Sequence, residues 1–178
     1  MDCVLSGKIP LMALYPIIEG RVTSGQPLDN AGEDIPAELR AAVNALERAK
    51  DATIYLGMKV AMKYMQALES EEEFIEYLAN LLIDLYATDS ALARATQAVR
   101  RGDDNSTTHI RLAQLATWLA FARIRTNLDQ LIMTNLDEEE ALQELSRVRA
   151  YVGDYLLNGV KLQREIATLV VEKQGYPL

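Results

Sequence analysis

The chain of 178 residues carries one cysteine, one histidine, one tryptophan, two phenylalanines and only five prolines. A lone thiol, Cys3, cannot form an internal disulfide and gives no sign of an oxidising compartment. No histidine lies near it in sequence to serve as a base, so Cys3 reads as a packing residue rather than a nucleophile. A single histidine, His109, also argues against a di-iron bundle, which needs Glu-x-x-His pairs on two helices; position 106 is Ser106. A structural zinc site lacks ligands for the same reason. The sequence has no glycine-rich phosphate loop, no Gly-x-Ser-x-Gly elbow and no dinucleotide Gly-x-Gly spacing. Basic residues are outnumbered 18 to 26, for a net charge of −8. No basic patch is visible, which excludes nucleic acid as a partner and disfavours an anionic membrane surface. No apolar run reaches the ~20 residues needed to span a bilayer. The apolar start MDCVLSGKIPLMALYPII is interrupted by Asp2, Lys8, Pro10 and Pro16, unlike a signal peptide. These absences predict a soluble, cytoplasmic chain without membrane association.

Hydrophobic residues make up 49% of the chain, enough for one real core. Proline and glycine cluster towards the two ends, so the middle can be almost wholly helical. The expected fold is all-α, an antiparallel up-down four-helix bundle over residues 36–178 behind an irregular lead-in over 1–35. Pro10, Pro16, Gly20, Gly25, Pro27 and Gly32 limit that lead-in to a short helix near 11–19. The first long helix is predicted over 36–68, with Pro36 in its first turn. Leu39, Val43, Leu46, Leu56, Val60 and Met65 form its stripe, and Met58, Met62 and Met65 read as core filling.

The second helix is predicted over 71–101. Ser70 and Glu73 have the spacing of a capping box. Leu78, Leu82, Leu85, Leu92 and Val99 line the predicted buried face, and Gly102 ends the helix. Arg101-Gly102-Asp103 then reads as a helix stop and turn rather than an adhesion triplet. The third helix, over 107–133, is apolar on two sides. One face holds Leu112, Leu115, Leu119 and Ala122, the other Ile110, Thr117, Ile124 and Leu128, with Trp118 and Phe121 adding bulk. A helix apolar on two sides needs neighbours on two sides. Leu112, Leu115, Trp118, Leu119, Phe121 and Ile124 are therefore the candidate packing and interface residues. The fourth helix, over 138–171, keeps a near-heptad rhythm through Gly153 and Gly159, with a kink expected near Asn158.

Asp84 stands in the most distinctive stretch, FIEYLANLLIDLYATDSALARATQAV, between Ile83 and Leu85. Burial would demand a partner such as an arginine on another helix. Asp84 and Arg94 are the candidate members of a buried polar pair. No complementary acid, base or nucleophile lies nearby, so the pair reads as structural. His109, in the first turn of the third helix, reads as a surface or helix-end hydrogen bonder. No catalytic, cofactor-binding or metal-ligating residue is assigned.

The same stretch resembles a known family. IDLYATDSALARA, residues 83–95, is similar to a segment in the C-terminal helical extension of very-long-chain acyl-CoA dehydrogenases. LERAKDATI at 46–54, LAQLATWLAFARIRTNL at 112–128 and the Gly-Tyr-Pro-Leu end extend the likeness over roughly 38–178. LSGKIPLM at 5–12 resembles the connector leaving the flavin-binding part. The resemblance implies a parent enzyme that binds FAD and removes hydrogens from the α and β carbons of a fatty acyl-CoA. It implies a glutamate base and flavin contacts in the main dehydrogenase domain, none of which match positions here. The helical extension would pack on the dehydrogenase dimer, so its partners would be the catalytic domain or a second copy.

Two readings follow. The chain is the C-terminal bundle of an acyl-CoA dehydrogenase, serving packing and dimer support without chemistry of its own. Alternatively it is a free-standing helical interaction protein that self-associates or binds a separate flavoprotein.

Overall fold

The computed structural model describes residues 11–26, 32, 34–176 and 178. Cys3, Pro10, Pro27, Pro177 and most of the 5–12 connector lie outside the described residues. The all-α class is as expected: six α-helices and one 3-10 segment account for the regular structure among the described residues. They are α1 (Leu11–Ser24), α2 (Ala37–Tyr64), the 3-10 turn Met65–Ser70, α3 (Glu72–Arg101), α4 (Ser106–Asn135), α5 (Glu138–Val152) and α6 (Gly159–Lys173). α3 and α4 form the most extensive pair, and α4 also packs on α2, α5 and α6.

Each long helix shows its core in its spacing. On α3 the buried set is Phe74, Leu81, Asp84, Leu85, Thr88, Leu92, Ala95, Thr96 and Ala98. The steps 74, 78, 81, 85, 88, 92 and 95 alternate four and three residues, one face of an α-helix. Leu82 was expected on that face, but it points outward and Leu81 takes its place. On α4 the core stripe is Ala113, Thr117, Ala120, Ile124, Leu128 and Leu131. Small residues there let α3 and α2 approach closely.

The helix ends explain three departures from expectation. Ser70 does not cap α3. It closes the 3-10 segment, and the N-cap position is Glu71, with no side-chain cap. Met65, at φ 47°, ends α2 early and turns its own side chain to solvent. Met62 is exposed as well, so neither methionine fills the core. The fourth helix is not continuous. Gly153 adopts φ 66° and ψ −155°, a backbone state that L-residues rarely reach. Arg48 Nε donates to the Val152 carbonyl at 2.9 Å, satisfying a group that a continuing helix would have bonded. α6 restarts at Gly159, where Asn158 Oδ1 accepts from the Lys161 N–H at 3.0 Å. Gly102, by contrast, ends α3 as expected in the left-handed region, with Asp103 N–H returning to the Ala98 carbonyl.

The lead-in contains more helix than its prolines suggested. α1 runs 14 residues through Pro16. Ile18 and Val22 are buried in the core, and Tyr15 stacks on Tyr55 with ring centroids 6.4 Å apart.

Candidate docking interface

Asp84 is buried on α3 and meets Arg123 of α4 in a bidentate pair. Arg123 Nε lies 3.0 Å from Oδ2 and Nη2 lies 2.5 Å from Oδ1. Hydrogen bonding to Asp84 raises the Arg123 guanidinium pKa further above its ordinary range. Arg94 is not the partner. It lies ten residues further along the same helix, about 15 Å away along the axis and turned by roughly 80°, and it is exposed. The Asp84–Arg123 pair floors an open groove of about 550 Å³ between α3 and α4, edged by Ile83, Asn80, Ala122 and Thr126.

A second ionic centre joins α2 to α5. Glu144 is 1% exposed. Its Oε1 accepts from the Tyr55 hydroxyl at 3.0 Å, from Lys59 Nζ at 2.7 Å and from Arg147 Nη1. Burial opposes ionisation of Glu144. Hydrogen bonds from Lys59 and Tyr55, with the charges of Lys59 and Arg147, outweigh it and hold the carboxyl below the usual range. A third centre ties α1 to the bundle. Arg21 Nη2 lies 2.7 Å from Asp51 Oδ1, and the Tyr151 hydroxyl donates to Oδ2 at 2.7 Å. Here burial dominates and pushes the Asp51 carboxyl up, although Tyr151 and Arg21 pull against it.

The six candidate residues of α4 divide. Phe121 and Ile124 are core. Leu112, Leu115 and Trp118 are half-buried, and Leu119 is 40% exposed. Trp118 is occupied within the chain, where its indole covers Gly159 at the start of α6. Phe121 meets Tyr155 edge-on, with centroids 6.3 Å apart. Trp118 and Phe121 are thus covered by α6 and by the 153–158 segment, while Leu119 stays exposed. Leu112 and half-buried His109 line a smaller groove beside Arg94 and Tyr176.

The larger exposed apolar surface is on α3, where Ile75, Leu82, Ile83 and Tyr86 stand outside the core. The sequence reading missed this surface by assigning Leu82 inward. The seven-residue register through Thr88 and Ala95 was the signal that would have found it.

Among the described residues no group of three or more His, Cys, Asp or Glu is placed to hold a metal ion. No helix among them is long and apolar enough to cross a membrane. Another open groove, about 750 Å³ against Val43, Leu46 and Leu92, is edged by Arg94, Arg100 and Arg101. Arg100 is already paired there with Asp34 at 3.2 Å. The backbone N–H groups of the helices lining these grooves are spent within the helices.

What the chain presents is an all-helical packing module whose charged groups are used to join helices. The chain belongs to the family described as ACAD9/ACADV, C-terminal domain, whose model matches residues 38–153. It is 20% identical over 173 residues to a probable acyl-CoA dehydrogenase of Bacillus subtilis (strain 168), covering 97% of this chain and 28% of that protein. Its fold is similar to a crystal structure of acyl-CoA dehydrogenase complexed with FAD from Bacillus anthracis. That match has a TM-score of 0.86 at 21% identity, over 99% of this chain and 30% of that one. The chain therefore spans less than a third of the length of these relatives.

Proposed function

We propose that this chain is the C-terminal helical part of an FAD-dependent acyl-CoA dehydrogenase of fatty acid β-oxidation. In this reading it supports packing of the enzyme and takes no part in the chemistry. The observation that carries the reading is coverage. Nearly all of this chain aligns with proteins more than three times its length, and the family model it matches is that of a C-terminal domain. Its own residues supply helix joints: Asp84 to Arg123, Glu144 to Lys59, and Asp51 to Arg21. The flavin and the acyl thioester would be held by the catalytic part, which is the partner of this domain.

The test is the mass of the native polypeptide in its source cells, detected with an antibody raised against this chain. A band far above 19.8 kDa is expected. A band at 19.8 kDa would refute the reading as a covalent tail and leave a free-standing bundle that binds a flavoprotein in trans. The purified 178-residue chain should be colourless, and a bound flavin spectrum would overturn the non-catalytic role.

A further inference from the structure

α3 has a second face that the bundle does not use. Ile75 is 48% exposed, Leu82 50% and Tyr86 76%. With exposed Ala79, Ser90, Ala93 and Gln97 they recur in steps of four and three residues, a near-heptad seam turned away from the core. The seam runs 23 residues from Ile75 to Gln97, so it is about 33 Å long. Its ends carry opposite charge. Glu72, Glu73 and Glu76 stand at the N-terminal end, and Arg94, Arg100 and Arg101 at the other.

We propose that this face pairs with α3 of a second copy of this chain, antiparallel about a two-fold axis through Tyr86. A two-fold contact is self-complementary, so each residue's partner is fixed by one register. With Tyr86 facing Tyr86, Leu82 meets Ser90, Ala79 meets Ala93 and Ile75 meets Gln97. The same register sets Glu72 opposite Arg100, which would exchange its exposed 3.2 Å bridge to Asp34 for the new pair, and brings Glu76 within one turn of Arg94. A parallel pairing would instead oppose like charges at both ends, which disfavours it. Ser90 opposite Leu82, and Ala79 opposite Ala93, leave room for the two helices to approach closely on either side of the axis. A helix about 10–12 Å across gives a footprint of roughly 350 Å² per copy, below the ~800 Å² of a standard stable interface. The pairing is therefore a concentration-dependent equilibrium and not a permanent dimer. It rests on the exposure of α3 and is independent of which enzyme the domain serves.

The experiment is sedimentation equilibrium of the 178-residue chain up to about 1 mM, a concentration chosen for the millimolar end of the affinity scale. The expected mass rises from 19.8 kDa towards twice that value. Tyr86→Arg places like charges on the axis and should weaken association at least tenfold, with circular dichroism unchanged because Tyr86 is 76% exposed. Glu72→Arg or Arg100→Glu alone should weaken it by about two- to fivefold per broken pair, and the double swap should restore it. Orientation is read in a Cys3→Ser background. Tyr86→Cys should cross-link to itself under mild oxidation, while Ile75→Cys should not. A chain that stays monomeric at the highest concentration overturns the proposal. So does a dimer indifferent to Tyr86→Arg, or one in which Ile75→Cys self-links and Tyr86→Cys does not.

Discussion

Gly159 offers the sharpest test of how α6 is seated. A Cβ added there would lie 2.3 Å from Cδ2 and Cε3 of Trp118, and 2.6 Å from Cε2. Ordinary carbon contacts begin near 3.5 Å, so in Gly159→Ala the indole must move by more than 1 Å or α6 must lift. Overpacking of this kind costs about 1–3 kcal/mol. An opposing effect exists: Gly159 does not have a positive φ, so alanine restricts the unfolded chain and stabilises by about 0.4–1 kcal/mol. The clash wins, leaving a net loss of about 1–2 kcal/mol. At about 2–4 °C per kcal/mol for a chain of this size, Tm should fall by about 2–8 °C.

Trp118 is the only tryptophan, so its fluorescence reports the displacement directly, and its emission should shift to longer wavelength. The decisive step is a cycle with Trp118→Leu, which empties the space over Gly159. In that background Gly159→Ala should be neutral or stabilising by up to about 1 kcal/mol, because only the unfolded-state effect survives. An unchanged Tm and emission in the single variant would refute the reasoning. So would an equal penalty in both backgrounds, since the loss would then have nothing to do with the indole.

Glu144→Gln should destabilise the chain by about 1–3 kcal/mol at neutral pH, by removing the charge that Lys59 and Arg147 share. The carboxyl is held below its ordinary 4.5, so its contribution is complete above that value and fades as pH falls through the lower folded pKa. Urea midpoints of the two proteins should therefore converge in acid; parallel curves would show that Glu144 is not depressed. Gly153→Ala forces a side chain into φ 66° and should cost about 1–3 kcal/mol in thermal unfolding, whereas no change would mean that the break between α5 and α6 relaxes freely. Arg123→Ala should cost about 1 kcal/mol and Arg94→Ala less than ~0.5 kcal/mol; a reversed order would return Asp84 to the wrong partner.

The helical class was legible because proline and glycine are scarce in the middle of the chain and apolar residues recur at three and four. What failed did so at particular places. Leu82 and Leu81 are adjacent leucines, and only the less conspicuous Thr88 and Ala95 show which one keeps the seven-residue register. Val148, Val152, Tyr155, Leu162 and Ile166 all face inward, so their rhythm continues across 153–158 although the backbone does not. Hydrophobic spacing records which side of the chain meets the core, not whether the hydrogen-bond ladder is intact; Gly153 and Asn158-Gly159 carried that signal, read as a kink where the helix in fact breaks. The need for an arginine opposite a buried Asp84 was readable from solvation. Its identity was not, because Arg123 is 39 positions away and only the packing of α4 on α3 brings it near.

Three buried or half-buried acids join different sets of helices, and the Asp51 joint has the most to do with position. α1 is held by buried Ile18 and Val22 and by Tyr15 stacked on Tyr55, apolar contacts that alone would tolerate rotation and sliding along α2. The Arg21–Asp51 bridge with the Tyr151 hydroxyl accepts one arrangement. Burying such charges gains little stability over an apolar pair of equal size, while removing one partner leaves a costly orphan. The double variant Arg21→Met, Asp51→Asn should therefore unfold within about 1 kcal/mol of the parent. Its α1 amides, over residues 11–24, should nevertheless exchange with solvent much faster than those of α2. If amide protection of α1 is unchanged, apolar packing suffices to place it and the ionic joint has no positional role. If α1 loosens while the bundle holds, the joint sets the angle at which α1 meets the bundle, and stability and placement reside in different residues.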